Sequence, residues 1–453
     1  MVRPRQRERG AARETQFAIA MHANGRAKRR ASFALLAALA LSGCVEATIA
    51  WTDLTPKGVA ASPTLDYATV EDWESAGAPA ARAALQKAEY GAMPERSFST
   101  ILSRATLGED AFGGRGVVEE YRVGASAAFD ASETAAASRD GAPGFIMDVV
   151  SPKGDGPFPV ILMQTFCPRW DTIPDARVAG APKPLEKRGG LETYVFGRHI
   201  CTPPVEAILD AGYAIASVFP SEFIPDRREE GLAELRRLSA GYADDETRWG
   251  AIAAWGWAYS RMIDVLEQDP RLDRNAMIAW GHSRYAKSAL VAAAFDPRID
   301  GVIAHQSGTG GASLNRDKKG EGIKGITRSY PHWFARAFRE DNLDGYDQHM
   351  LLALIAPRPI LLGNARRDVW SDPNGAFRAA MGADPVYELY GARGLDQTGL
   401  KPYDPTAEIA FWIRPGTHGV VKEDWPAFLE FLNAHFAASE KERGGRLISA
   451  GHQ

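Results

Sequence analysis

The chain has 453 residues, with 53 Lys and Arg against 57 Asp and Glu for a formal net charge of −4. Residues 1–43 hold nine of the basic and two of the acidic residues, so the remaining chain carries about −11, which argues against nucleic acid or another polyanion as a partner. No CxxC or HExxH spacing occurs, so neither a metal nor a cofactor is expected.

In chain order, Lys28, Arg29 and Arg30 precede an apolar run at 33–41, too short to span a bilayer, which ends in Leu41-Ser42-Gly43-Cys44. A basic stretch, a short apolar stretch and small residues before a cleavage point describe a secretion signal over 1–43. The Leu-Ser-Gly-Cys run resembles a bacterial lipobox, in which the Cys44 thiol is lipidated. The other reading is an ordinary signal peptide with an incidental cysteine. The expectation is an exported monomer of the periplasm, outer membrane or cell surface that meets a membrane only through a lipid on Cys44. In an oxidising compartment Cys167 and Cys201 either pair or remain two buried thiols.

Residues 44–140 are poorly periodic and are expected to form an N-terminal extension packing on the core, with a helical stretch near 80–90 and an Ala/Ser-rich segment near 125–140. A catalytic domain is expected over 141–440, since no linker or repeat divides it. Within it, 145–150 and 158–165 read as strands around a Pro-bounded turn, 204–211 as a short helix and 213–219 as a strand. Ile252, Trp255, Tyr259, Met262, Ile263 and Leu266 have the spacing of an amphipathic helix over 247–267. Asp269-Pro270 stops it. Strand 276–280, helix 285–294, strands at 300–305, 359–364 and 408–413, and helix 423–436 follow, before a polar tail expected to fray. Alternating strands and helices predict a three-layer α/β sandwich around a mostly parallel sheet, with ligands at the strands' C-terminal edge.

At that edge strand 276–280 runs into Gly281-His282-Ser283-Arg284-Tyr285-Ala286-Lys287, and a helix begins at once. This is the context of the nucleophile elbow of the α/β-hydrolase fold, in which small neighbours let a serine oxygen stand above the sheet. The other reading of Ser283 is a helix cap. A serine needs a base and an orienting acid, which this fold orders Ser, acid, His. His418, in the loop Arg414-Pro415-Gly416-Thr417-His418-Gly419 between the last strand and the last helix, is the expected base. Asp368, just past strand 359–364, is the expected acid and Asp372 its competitor, although Asp before Pro373 also suits a helix start. The backbone N–H of Arg284 at a helix N-terminus is an expected oxyanion donor. The other histidines near strands and helices, His282, His305, His332 and His349, suit structural hydrogen bonds.

With these residues in place, the chain resembles carbohydrate esterase family fifteen, the glucuronoyl esterases, whose elbow reads Gly-(Cys/His)-Ser-Arg-x-Gly-Lys. Ser307-Gly308-Thr309-Gly310-Gly311-Ala312, Tyr330-Pro331-His332-Trp333-Phe334, Asp347-Gln348-His349 with 351–359, Asp368-Val369-Trp370 and His418-Gly419 are similar to further family segments, over about 145–435. The resemblance implies cleavage of the ester between a 4-O-methyl-glucuronate carboxyl on xylan and a lignin alcohol. It implies that the Arg284 guanidinium helps hold the oxyanion, and that Lys287, Glu321 and Trp370 hold the sugar. A lysine and a carboxylate read hydroxyls, and an indole covers an apolar sugar face. Apart from the family, Lys287 also reads as a solvated helix residue, Glu321 as one charge of a mixed loop and Trp370 as core. Two positions depart from the pattern. Gln306 stands where some members carry the triad acid, which moves the acid to Asp368; Ala286 replaces the family's glycine and adds a methyl beside the elbow. A carbohydrate acetyl esterase and a non-catalytic glycan-binding homologue are the alternative functions.

Overall fold

The structure is a computed structural model that describes residues 63–129, 144–185, 190–397, 399 and 402–437. The signal stretch with Cys44, most of the Ala/Ser-rich segment and the polar tail lie outside the described residues. The described residues fall within one compact unit, Leu54–Gln453.

Among the described residues, nine strands form one sheet: β1 (Arg96–Asp110), β2 (Gly116–Ala128), β3 (Gly144–Pro152), β4 (Phe158–Gln164), β5 (Ala214–Val218), β6 (Leu272–His282), β7 (Gly301–His305), β8 (Ile360–Ala365) and β9 (Ile409–Arg414). Their order is β1-β2-β3-β5-β4-β6-β7-β8-β9. The first three pairings are antiparallel and every pairing from β5 through β4 to β9 is parallel. With helices on both faces this is the α/β-hydrolase architecture.

The period of two along the parallel strands divides the core. Val160 and Leu162 of β4, with Met277 and Ala279 of β6, face one apolar layer. Ile161 and Met163, with Ile278 and Trp280, face the other. Helices α1 (Ala251–Leu266) and α2 (Arg284–Phe295) pack into the first layer. Helix α4 (Asp424–Phe436) covers the second with Trp425, Phe428, Phe431 and Leu432. The intervening α3 (Pro373–Leu389) lies on the first side through Ala376, Phe377, Ala380 and Val386.

Two parts of the fold are absent from the periodicity of the sequence. Residues 96–128, inside the expected N-terminal extension, are strands β1 and β2 of the sheet itself, so the extension is not a separate layer on a core that starts at 141. β1 lies at the sheet edge and is exposed over much of its length, which removes the alternation that marks a half-buried strand. It is nonetheless tied down. Ser99 Oγ donates to Asp264 at 2.6 Å and Trp257 Nε1 donates to Ser97 Oγ at 2.7 Å. That contact puts β1 over α1 and explains why nearly every α1 residue is buried. Helix α3 is the second. Its core face is built largely of Ala and Gly and it carries Pro385 in its interior, so its apolar contrast in the sequence is low.

Cys167, just after β4, and Cys201 form a disulfide with Cα atoms 5.5 Å apart. Of the two readings of these cysteines, the structure has the paired one.

Candidate active site

Strands β6, β7, β8 and β9 are parallel neighbours, so residues just beyond each converge at one edge. From β6 the chain enters the elbow. Ser283 has φ 57° and ψ −121°, outside the regions an L-residue prefers. Neighbouring bonds hold it there: its N–H donates to His305 O at 2.8 Å, and its carbonyl accepts from the N–H groups of Ala286 at 3.0 Å and Lys287 at 3.2 Å. Gly281 is required, because a Cβ there would sit 2.0 Å from Tyr285 O. The methyl of Ala286 is fully buried among the α1/α2 core residues.

The loops after β8 and β9 bring Asp368 and His418 together. His418 Nδ1 donates to Asp368 Oδ2 at 2.7 Å, and Ser371 N–H donates to Asp368 Oδ1 at 3.3 Å. Asp368 is buried, which opposes its charged form; the His418 charge and the hydrogen bonds from His418 and Ser371 outweigh this and hold its carboxyl below the usual range. Asp372 is turned away. It has φ 50°, its Oδ1 accepts from Gly375 N–H at 3.0 Å as the cap of α3, and its Oδ2 accepts from Lys319 N–H at 3.2 Å.

Behind His418 lie two more imidazoles. The His282 ring is 4.6 Å from that of His418, and His282 Nδ1 is 3.1 Å from His305 Nδ1. Burial first, then the His418 and His305 charges, push His282 far below its ordinary value of 6.5; burial also lowers His305. Both rings are buried, and His305 Nε2 lies 3.5 Å from Asp424. His332 bonds Asp226 at 3.0 Å and His349 donates to Pro63 O at 2.6 Å.

Arg284 is fixed by a residue the sequence did not single out. Its guanidinium pairs with Asp226, which also accepts from Trp333 Nε1 at 2.8 Å. The guanidinium lies 5.2, 5.4 and 4.7 Å from the ring centres of Phe166, Tyr330 and Trp333. Its Nε is buried and has no hydrogen-bond partner among the described residues. Tyr330 and Trp333 stand in a quoted motif, but Asp226 sits in a plain charged stretch more than fifty residues earlier and carries no local signal.

Lys287, Glu321 and Trp370 gather around the glycine-rich turn. Lys287 is buried, not solvated: its Nζ donates to Thr309 O at 2.5 Å and to Ser307 O. Burial pushes the ammonium down to about 8, against the attraction of Glu321. Glu321 N–H donates to Trp370 O at 3.3 Å, and Thr309 Oγ1 donates to Glu321 O. Trp370 is 56% exposed, so it is a surface ring and not core.

Glu89, also unsignalled in the sequence, lies fully buried beneath this turn. Its Oε2 accepts from Gln348 Nε2 at 2.6 Å. Burial, and next the charge of Asp347, raise its carboxyl from 4.5 to about 8, so it is protonated at neutral pH. The folded state therefore holds a proton that the unfolded chain releases. The stability this contributes is full below about 4.5 and is lost as the pH rises through about 8. Glu89→Gln is expected to flatten that fall, read as urea midpoints across this pH range; equal slopes for both proteins would refute the assignment.

A family model described as "Glucuronyl esterase, fungi" matches residues 242–391. The chain is 38% identical over 242 residues to carbohydrate esterase MZ0003 from an unknown prokaryotic organism, covering 51% of this chain and 55% of that protein. The chain thus spans about half the length of this relative. Among solved structures it superposes on a promiscuous CE15 esterase from a marine bacterial metagenome with TM-score 0.70 and 28% identity, over 84% of this chain and 98% of that one. It superposes on the glucuronoyl esterase from Solibacter usitatus with TM-score 0.68 and 29% identity, over 82% and 94%.

Proposed function

This chain belongs to carbohydrate esterase family fifteen, and on that premise we propose that it is a serine esterase that hydrolyses esters of glucuronic acid. The observation that carries the reading is the 2.7 Å bond from His418 Nδ1 to Asp368 at the same sheet edge as the strained Ser283. The bond fixes the tautomer, so His418 Nε2 is the nitrogen that takes the Ser283 proton as Oγ attacks the ester carbonyl. Negative charge then grows on the carbonyl oxygen. The Arg284 guanidinium and the backbone N–H at the start of α2 stabilise it. His418 returns the proton to the departing alcohol, a glucuronoyl-Ser283 ester remains, and water cleaves it by the same steps in reverse. Free acid and alcohol are the products.

Lys287, Glu321 and Trp370 make the sugar side of the site in this reading. Lys287 contributes by shaping the glycine-rich turn through Ser307 and Thr309, while the exposed Trp370 indole supplies a face for the pyranose ring. The chain is exported, with Cys44 its lipid anchor, and the ester is that joining 4-O-methyl-glucuronate on xylan to a lignin alcohol.

An ester panel tests this directly. Benzyl and methyl glucuronates are expected to be cleaved and acetylated xylan left intact. Hydrolysis of acetylated xylan alone would make the protein an acetyl esterase. No turnover together with no fluorophosphonate labelling of Ser283 would make it a glycan-binding homologue.

A further inference from the structure

Gln306 directly follows β7, and its N–H still donates to Gly363 O of β8 at 2.7 Å. It is buried and adopts φ 53°, a left-handed conformation that costs free energy for a residue with a side chain. Its amide spans the backbone on both sides of His418. Oε1 accepts from Gly419 N–H at 2.8 Å, and Nε2 donates to Thr417 O over a longer 3.4 Å. The orientation is fixed by chemistry, because an N–H can only donate and a carbonyl can only accept. The carbonyl of Gln306 accepts from Ser371 Oγ at 3.3 Å, and the N–H of the same serine donates to Asp368. One residue therefore touches the loop of the base with its side chain and the loop of the acid with its backbone.

We propose that Gln306 is a positioning residue that ties the His418 and Asp368 loops together, and that it must be an amide because one side chain has to accept and donate at once. A carboxylate at this position would keep the bond from Gly419 but face Thr417 O with a second acceptor. An apolar side chain would lose both bonds. Arg414 shares the task from the β9 side, donating to Thr417 O at 3.3 Å and Gly419 O at 2.7 Å. Loss of the amide therefore loosens the loop without unfolding it. The proposal rests on His418 being the base.

The test compares Gln306→Met and Gln306→Glu with the unaltered protein on a benzyl glucuronate. Misplacing a catalytic group by about 1 Å costs roughly 10²-fold, so Gln306→Met is expected to lower kcat by about 10- to 100-fold with KM within about twofold. Gln306→Glu is expected to fall between, and its acid limb to move to higher pH, because a nearby negative charge favours the imidazolium. The low-field proton resonance of His418 Nδ1–H, which needs no substrate, is expected to weaken or vanish in Gln306→Met. Unchanged kcat and an unchanged resonance would overturn the proposal. Should Gln306→Met fail to fold, Gln306→Glu decides: a wild-type kcat and pH profile there would overturn it equally. An unaltered protein that cleaves no ester would instead refute the proposed function, and the resonance would still report on Gln306.

Discussion

Ser283→Ala is expected to lower kcat/KM by about 10⁴- to 10⁶-fold, the range seen when the nucleophile of such a triad is removed. Stability should hardly change. Alanine keeps the Cβ, so the strained φ of 57° remains, and the bonds that fix the turn come from the backbone. Ser283→Gly should lose the same activity and melt at a higher temperature than Ser283→Ala, because glycine adopts that conformation without the cost of about 1–3 kcal/mol. Turnover and calorimetry on the two variants together separate the chemical role of the serine from the strain of the elbow. Activity retained in Ser283→Ala would remove the mechanism altogether.

Asp368→Asn is expected to cost about 10⁴-fold in kcat, whereas Asp372→Asn should leave kcat within a few-fold. Of the two carboxylates it is Asp368 that reaches His418 Nδ1, at 2.7 Å. An amide there can present the wrong partner to the ring and cannot balance the imidazolium that forms as Ser283 attacks. Asp372 has both oxygens committed, to the start of α3 and to Lys319; an asparagine there still offers Oδ1 to Gly375 N–H, so Asp372→Asn should also change stability little, whereas Asp372→Ala should cost about 0.5–2 kcal/mol, as for other helix caps. The two variants also differ in acid. The folded value of Asp368 lies below its ordinary 3.8, so its stabilisation is present above that pH and is lost as the pH falls through the folded value. Asp368→Asn should lack this acid-sensitive part. The assignment fails if Asp372→Asn is the inactive variant.

The elbow was legible in the sequence because all of it is contiguous: a buried strand, Gly281, Ser283 and a helix, within one stretch of chain. His418 was legible by position, in a Gly/Pro-bounded loop after the last strand. The parallel half of the sheet was legible because strands covered on both faces are short apolar runs. The edge hairpin β1–β2 was not, since an exposed strand need not alternate.

Asp368 and Asp372 stand four residues apart in one loop, and no local rule says which carboxylate faces His418. The left-handed turn at Asp372 decides it by aiming that side chain at α3. Asp226 and Glu89 left no mark at all, because a buried carboxylate is defined by partners that only folding brings near: Arg284 and Trp333 for one, Gln348 and Asp347 for the other. Gln306 is the clearest division between the two. As a letter it says only that an acid is missing. Its side chain meets Gly419 and Thr417 more than a hundred residues away, and that encounter is what gives the amide a use. Short-range geometry wrote the elbow of Ser283 into the sequence, whereas the groups that orient His418 and Arg284 exist only as long-range contacts of the fold.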